Sequence, residues 1–358
     1  MKKNSLPLLI NRETIIKTDT MKILYLCLLA GMFIGCKENS STELYVKSRT
    51  NVVKVKDKVK EVMTEEPFIS TYSDVYLLNE HLIVKDWKGY DNLIHIFDKN
   101  TFEHVKSTGT TGQGPYEIAN IGNVFIDENR NNFYVVDQGK LRLLSYNLDS
   151  LLTVDNYSFT TKADLTKNNY PSSCCYIADT FSIAKQLSFE NNGGGAIEAC
   201  GRWNMKTNEF QKGYVHPSQS TKAINTHSTH FDASESQGIY VMCSRFFDVM
   251  TICNLDGSLK CNVYGPNWKD SKSDVIHYNM DVCIGGDKIY ALYSGADQNS
   301  KDYYPTQMLI YDVNGNYLKT LEIGYRILNF CYDEDHHRLI LHADDDIQFG
   351  YLDLEGII

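Results

Sequence analysis

One short pattern recurs six times along this 358-residue chain: an apolar or aromatic residue, then Asp or Asn, then a tight turn. It is read at Phe97-Asp98-Lys99-Asn100-Thr101, Tyr146-Asn147-Leu148-Asp149-Ser150 and Trp203-Asn204-Met205-Lys206-Thr207. It returns at Cys253-Asn254-Leu255-Asp256-Gly257, Tyr311-Asp312-Val313-Asn314-Gly315 and Leu352-Asp353-Leu354-Glu355-Gly356. The Asx positions lie 49, 57, 50, 58 and 41 residues apart. An Asx side chain at such a point bonds its own backbone two residues on, and glycine supplies positive φ. A period of this length restricts the fold to a repeat architecture in which each copy is one supersecondary unit.

The unit is made of strands. Short apolar runs separated by Asp, Asn and Gly precede each turn, and no long stretch has helical apolar spacing. In the second unit Val124-Phe125-Ile126 leads to a turn over residues 127–132, then Phe133-Tyr134-Val135-Val136, a loop at residues 137–140, and Leu141 to Tyr146. A fourth run is expected from Leu151. Four antiparallel strands repeated six times predict an all-β fold, a six-bladed β-propeller over residues 50–358. A β-sandwich is the alternative, but it has no repeat at this period. After Asp353 only five residues remain, too few for the outer strand of a sixth blade. The stretch Thr50 to Lys56 alternates as a half-buried strand does and is expected to complete that blade. Closure by an N-terminal strand leaves no open sheet edge at the seam.

Two segments carry a family resemblance. Gly109-Thr110-Thr111-Gly112-Gln113-Gly114-Pro115-Tyr116-Glu117 resembles the Gly-rich loop that leads from the first blade to the second in TolB-like six-bladed propeller lipoproteins. Tyr116 stands where those proteins usually have glycine. The segment from Phe133 to Leu144, ending Asp137-Gln138-Gly139-Lys140-Leu141-Arg142-Leu143-Leu144, is similar to an NHL repeat, a related propeller blade. The resemblance implies an exported, lipid-anchored propeller and carries over no catalytic residue.

The N-terminal region has its own signature. Ile23 to Gly35 is an unbroken run of apolar and small residues after Lys22, and it ends at Cys36 before the polar stretch Lys37 to Ser41. A basic start, a short apolar core and a small residue at a cleavage point describe a signal peptide. A cysteine just after that small residue resembles a bacterial lipobox, which makes Cys36 the expected site of lipidation. The alternative is a transmembrane helix, but thirteen residues span only about 20 Å, short of the roughly 30 Å hydrocarbon core. The expected organisation is a signal peptide over 1–35, a lipidated Cys36 with a tether over 36–49, and the propeller beyond. Residues 1–20 precede a second start signal at Met21-Lys22. The expected location is the bacterial cell envelope, on the periplasmic side or the outer surface, with membrane attachment through the lipid.

Charge narrows the partners. The whole chain has a net charge of −10, and loss of residues 1–35 removes five basic and two acidic side chains, leaving −13. Phosphate binding needs clustered Lys and Arg, so no nucleic-acid partner is expected. Besides Cys27 and Cys36, the cysteines are Cys174, Cys175, Cys200, Cys243, Cys253, Cys261, Cys283 and Cys331. None forms a C-x-x-C pair, which removes support for zinc ribbons and thioredoxin-type chemistry. Cys253 and Cys261 flank a turn and could bridge; buried free thiols are the other reading.

No complete catalytic or metal-binding constellation is legible, and neither cofactor nor metal is expected. The Gly-rich loop lacks Gly-Lys-Ser/Thr and reads as an interblade connection. Asp127-x-Asn129-x-Asn131 imitates a calcium loop but has Gln138 at the twelfth position and Asn132 where Gly is needed, so it reads as a turn. His227-x-x-His230, His336-His337, His342 and Asp344-Asp345-Asp346 lack the spacing of a metal site. There is no G-x-S-x-G elbow.

Propellers bind through loops on one face. Those loops are expected at Asp86 to Tyr90, Asp137 to Lys140, Ser244 to Asp248, Pro266 to Trp268, Gly295 to Pro305 and Asp344 to Asp346. Exposed Trp, Tyr and Arg are what a protein or glycan interface uses, which singles out Trp87, Tyr90, Arg245, Trp268 and Tyr303. The alternative for each is packing between blades. The expected function is a binding or scaffold module for a protein or glycan. The competing class is a metal-dependent propeller hydrolase of lactonase type, or a lyase, with acids, Asn or His converging on the central channel.

Overall fold

In a computed structural model of the chain, each of the six turn Asx residues is the last residue of a strand. The structure describes residues 42–64, 66–166, 171–178, 180–189, 196–219, 228–272 and 275–358. The signal segment, Cys36, the tether as far as Ser41, and His227 lie outside the described residues.

Three short strands come first: β1 (Glu43–Tyr45), β2 (Val52–Lys54) and β3 (Lys60–Val62). Blade 1 is β4 (Ser73–Leu78), β5 (His81–Asp86), β6 (Asn92–Asp98) and β7 (His104–Thr110). Blade 2 is β8 (Ile121–Asp127), β9 (Asn132–Asp137), β10 (Arg142–Asn147) and β11 (Thr160–Asp164). Blade 3 is β12 (Pro171–Ala178), β13 (Phe181–Phe189), β14 (Ala196–Asn204) and β15 (Glu209–Lys212). Blade 4 holds β16 (Thr229–Ser234), β17 (Ile239–Ser244), β18 (Val249–Asn254) and β19 (Leu259–Tyr264). Blade 5 holds β20 (Ile276–Gly285), β21 (Lys288–Asp297), β22 (Gln307–Asp312) and β23 (Tyr317–Glu322). Blade 6 contributes β24 (Ile327–Asp333), β25 (Arg338–Ala343) and β26 (Phe349–Asp353).

Each blade is an antiparallel meander, and β4, β8, β12, β16, β20 and β24 are the innermost strands. Each packs on the next, and β24 packs on β4, which closes the ring. The turns behave as their chemistry predicts: Asp98 Oδ1 accepts from the backbone N–H of Asn100 and Thr101, Asn204 Oδ1 from Lys206 and Thr207, and Asp312 Oδ1 from Asn314 and Asn316. In blade 2 the turn departs from expectation. Asn147 caps a one-and-a-half-turn helix, α1 (Leu148–Thr153), by accepting from Ser150 N–H, so the outer strand begins only at Thr160.

An N-terminal strand closes the ring, as expected, but the segment that does so lies later than Thr50 to Lys56. Val62, Glu61 and Lys60 pair antiparallel with Phe349, Gly350 and Tyr351, supplying the outer strand the C-terminus is too short to make. The strand within Thr50 to Lys56, β2, instead runs parallel to β23 on blade 5, and β1 runs parallel to β19 on blade 4. The chain entering the ring thus edges blades 4 and 5 before it becomes the outer strand of blade 6.

Apolar packing lies between blades. One cluster joins blade 1 to blade 2 through Ile83, Ile94, Phe133 and Val135; another joins blade 6 to blade 1 through Ile340, Phe349, Leu82 and Val84. Leu82 and Val84 thus face one neighbour while Ile83 faces the other. A strand sandwiched on both faces has no polar side, which is why these strands read as continuous apolar runs. Among the described residues no helix is long and apolar enough to cross a membrane.

Candidate functional site

The end of each blade where the first strand begins and the second finishes forms one face of the ring, here the upper face. Its loops are tied down by buried aspartates at or just past the ends of second strands. Asp86 accepts from Ser70 N–H (2.8 Å) and Ser70 Oγ (2.5 Å), which clasps the connection arriving from blade 6. Asp137 accepts from Asn120 N–H and Arg142 Nε, each at 3.2 Å. Lys140 Nζ donates to the carbonyls of Gly114 (2.5 Å) and Glu117 (2.8 Å), and Arg142 Nη2 also reaches Glu117 O (2.7 Å). The Gly-rich segment is therefore an interblade connection held by the Lys140 and Arg142 side chains of blade 2.

Exposed apolar side chains concentrate on this face. Of twelve large hydrophobic residues exposed among those described, eight sit on upper-face connections: Met63, Phe68, Tyr72, Trp87, Tyr90, Tyr116, Val275 and Tyr304. Phe68 is 88 % exposed, Tyr90 95 % and Met63 78 %. Tyr72 and Trp87 are neighbours, since Trp87 N–H donates to Tyr72 O at 2.8 Å. Met63, Phe68, Tyr72, Trp87 and Tyr90 come from the connection into blade 1 and from that blade's own loop. These residues make an exposed apolar surface on one part of the upper face. Sequence reasoning singled out Trp87 and Tyr90 and missed Met63, Phe68 and Tyr72. The missed signal was the short polar-apolar connection over residues 63–72, which has no strand of its own in which to hide a Phe or Tyr.

Trp87 also covers a charge. Its Nε1 donates to Asp74 Oδ2 at 3.0 Å, and its ring lies 4.1 Å from the Lys85 ammonium. Lys85 is fully buried and pairs with the same Asp74 oxygen at 2.6 Å. Beside them, Ser73 Oγ lies 3.2 Å from His342 Nε2, and His342 Nδ1 lies 3.1 Å from Asn329 Nδ2. This Ser-His-Asn arrangement bridges blades 6 and 1. Asn329 Oδ1 accepts from Val75 N–H (3.0 Å) and Nδ2 donates to Ser73 O (2.6 Å), which fixes the amide. Asn329 Nδ2 also lies 3.3 Å from Asp74 Oδ1, so the amide is shared among Ser73, Asp74 and His342. Burial also pushes His342 down to about 4. The network locks blade 6 to blade 1.

On blades 4 and 5 the structure brings Arg245 and Tyr303 together. Arg245 Nη2 donates to the Tyr303 hydroxyl, and Arg245 Nε donates to His277 Nδ1 at 3.1 Å. Trp268 lies apart from them, packed at 4.7 Å on Tyr264, 5.7 Å on Phe247 and 5.4 Å on His216.

The central channel is acidic and internally bonded. Asp232 on β16 accepts from Ile284 N–H of β20 (2.7 Å) and from Cys175 Sγ of β12 (3.3 Å). Asn279 Nδ2 donates to Ser244 O at 2.9 Å. An innermost strand has one edge without a strand partner, and Asp232 satisfies the Ile284 N–H on such an edge. Burial, reinforced by the Asp74 and Asp232 carboxylates, pushes Asp281 up to about 8. Burial also raises Asp232. His230 is pushed down to about 3 by burial and by Lys185 and Arg245. Among the described residues no group of three His, Cys, Asp or Glu side chains is placed to hold a metal ion.

The remaining sequence candidates have local partners. Asp127 accepts from Arg130 N–H and the Tyr134 hydroxyl, capping a turn. His336 pairs with Asp333 (2.9 Å), His337 with the Tyr332 hydroxyl (2.7 Å), and Asp345 accepts from Arg326 N–H (3.0 Å). All eight described cysteines are free thiols. Cys253 and Cys261 do not bridge because a bulge shifts the hairpin, pairing Cys261 with Ile252. Cys261 thus faces blade 5 and Cys253 faces blade 3. Burial raises every one of these thiols, which leaves them inert.

The family model described as TolB-like 6-blade propeller-like matches residues 51–335. No curated protein matches the sequence. Among solved structures, a protein of Bacteroides fragilis NCTC 9343 described as exported superposes with a TM-score of 0.55 at 12 % identity, over 87 % of this chain and 98 % of that one. A member of the duf4221 family from Bacteroides vulgatus ATCC 8482 superposes with a TM-score of 0.51 at 12 % identity, over 83 % of this chain and 98 % of that one. At such identity the likeness concerns the fold.

Proposed function

This chain belongs to the TolB-like six-bladed propeller family, and from that premise we propose that it is an exported, lipid-anchored binding module for a protein or glycan. The observation that carries the reading is the aromatic surface over the entrance to blade 1: Phe68, Tyr72, Trp87 and Tyr90 are all exposed on connections whose backbones are clasped by Asp86. Rigidly held, exposed aromatics offer large contact area at low entropic cost. The polar channel residues that an enzyme would need, Asp232 and Asn279, are engaged in bonding neighbouring strands. The hydrolase or lyase reading has no comparable observation behind it.

Export and anchoring are supported by the Ile23 to Gly35 run before Cys36 and by the neighbour described as exported. Six peptide units separate Cys36 from Thr42, a reach of at most about 20 Å. An acyl group on Cys36 would keep the ring close to the bilayer surface. Mass analysis of the mature N-terminus should find an acylated Cys36, and Cys36→Ala should release the protein or trap its precursor. A full-length membrane-bound Cys36→Ala product would overturn the anchor.

The binding surface is tested with purified protein on glycan and envelope-protein arrays. The wild type should retain ligands that the triple variant Phe68→Ala, Trp87→Ala, Tyr90→Ala loses by tenfold or more. Equal retention by a folded triple variant would move the binding surface elsewhere.

A further inference from the structure

Among the described residues no carboxylate pairs with Arg245. Arg245 leaves β17 at the upper end of blade 4 with its backbone held on both sides: its N–H donates to Ser228 O (2.9 Å), and its carbonyl accepts from Tyr278 N–H (2.7 Å). Its guanidinium is aimed by two neutral acceptors. Nε donates to His277 Nδ1 at 3.1 Å, and Nη2 donates to the Tyr303 hydroxyl, which itself lies 3.0 Å from His277 Nδ1. His277 stays neutral at physiological pH, because burial, then Arg245 and Lys272, press it down to about 4. Nη1 has no protein partner among the described residues.

Aromatic rings pack on the two side chains that hold this guanidinium. Phe246 meets His277 edge-on at 5.1 Å, and Tyr303 meets Tyr304 at 5.5 Å. The Lys272 ammonium lies 4.5 Å from the Phe246 ring centre. Tyr304 is 36 % exposed. A planar fork held in place before a ligand arrives, with no ion pair among the described residues, suits a carboxylate. A net charge of −10 on the chain works against a polyanion, since the repulsion grows with each added charge. A single carboxylate escapes that. Tyr304, packed on Tyr303 and partly exposed, offers an aromatic surface for a sugar ring, in the usual mix of aromatic wall and few polar anchors.

We infer that this corner of the upper face binds the carboxylate of a sugar acid, with Arg245 holding the carboxylate and Tyr304 the ring. The inference takes from the reading above only that the chain is a binding module; its site, on blades 4 and 5, is separate from the aromatic surface of blade 1.

The test titrates purified protein with D-glucuronate, D-glucose, acetate and a short peptide with a free C-terminus, read by calorimetry or ligand-detected NMR. Glucuronate should bind at least tenfold tighter than glucose or acetate, and Arg245→Gln should weaken it at least tenfold while circular dichroism stays unchanged. Should Arg245→Gln misfold, Tyr304→Ala, whose side chain is exposed, should still weaken glucuronate several-fold. Glucose or acetate binding as tightly as glucuronate would overturn the sugar-acid class. A tighter peptide complex would assign the site to a peptide end and overturn it as well. Indifference of glucuronate to both variants would remove Arg245 from binding. In any of these cases the Phe68, Trp87, Tyr90 array result decides separately whether the binding-module reading survives.

Discussion

Arg49 and Asp248, 199 residues apart, form a two-pronged ion pair between blades 4 and 5, with Nη2–Oδ1 at 2.8 Å and Nη1–Oδ2 at 3.2 Å. Asp248 is 1 % exposed and Arg49 11 %. The guanidinium also lies 4.6 Å from the Tyr293 ring centre and donates to the Tyr311 hydroxyl at 3.2 Å. One side chain from the entering segment therefore ties a loop of blade 4 to two strands of blade 5.

Arg49→Ala should be strongly destabilising, since it leaves Asp248 buried and charged without its partner. Loss of one member of a buried pair costs about 3–5 kcal/mol. Urea unfolding measures it, and hydrogen exchange should show the backbone of residues 43–54 losing protection first. A loss below about 1 kcal/mol would mean that the pair positions the segment without stabilising it.

Ring closure makes a second, graded expectation. A chain beginning at Thr42 keeps β1, β2 and β3 and should unfold as the longer chain does. A chain beginning at Val55 loses two parallel edge strands and Arg49 but keeps β3, so it should fold with a lowered midpoint. A chain beginning at Thr64 also loses Val55, which is fully buried, and the outer strand of blade 6. It should fail to fold cooperatively, as monitored by circular dichroism and proteolysis.

How far the sequence foretold this structure depends on what kind of signal each part leaves. The six Asx turns were legible because a turn is a local event: the Asp98 or Asp312 carboxylate bonds amides two to four residues away. The seam was only half legible. Thr50 to Lys56 alternates convincingly and does contain a strand, but alternation says nothing of which edge it will join, and blade 5 takes it. Lys60–Val62 is too short to carry a period. The site divides the same way. Trp87 and Tyr90 were visible as aromatics in a loop, whereas the Arg245–Tyr303 contact joins residues 58 apart and depends on how blade 4 sits against blade 5. Asp86 and Asp137 looked like binding-loop residues, and their work as clasps appears only once Ser70 and Asn120 arrive from the preceding blade.

Asp281 predicts a pH dependence. Burial pushes its carboxyl up to about 8 from the ordinary 3.8, so the folded state binds the proton more tightly than the unfolded chain does. Stability from this group is fully present below about pH 4 and is lost as pH rises toward 8. Asp281→Asn should remove that slope and raise the unfolding free energy from urea titration at pH 8–9 above that of the wild type, by an amount on the order of a few kcal/mol. Parallel slopes in the two proteins across pH 4–9 would show that Asp281 is ionised in the fold.

Lys85 and Asp74 allow a sharper contrast, because one is sealed and the other is not. Lys85 is fully buried under Trp87, while Asp74 is 31 % exposed and keeps the Trp87 Nε1 bond. Lys85→Met preserves the apolar stem and removes a desolvated charge, leaving Asp74 with solvent and Trp87. Replacing a buried charge with an apolar side chain of similar volume is commonly neutral or stabilising, so the midpoint should move by less than about 1 kcal/mol. Asp74→Ala does the opposite and leaves the ammonium buried alone, at a cost of about 2 kcal/mol at pH 7 after allowing for the partial exposure of Asp74. Burial holds Lys85 below its usual pKa even with Asp74 in place, and loss of that carboxylate depresses it further. A lysine with a depressed folded pKa binds its proton more tightly when unfolded, so the Asp74→Ala variant should gain stability as pH rises toward the unfolded lysine value. Urea titrations of Asp74→Ala at pH 7 and pH 9.5 read this directly: recovery at the higher pH is expected, and a loss equal at both would mean that the ammonium had found water.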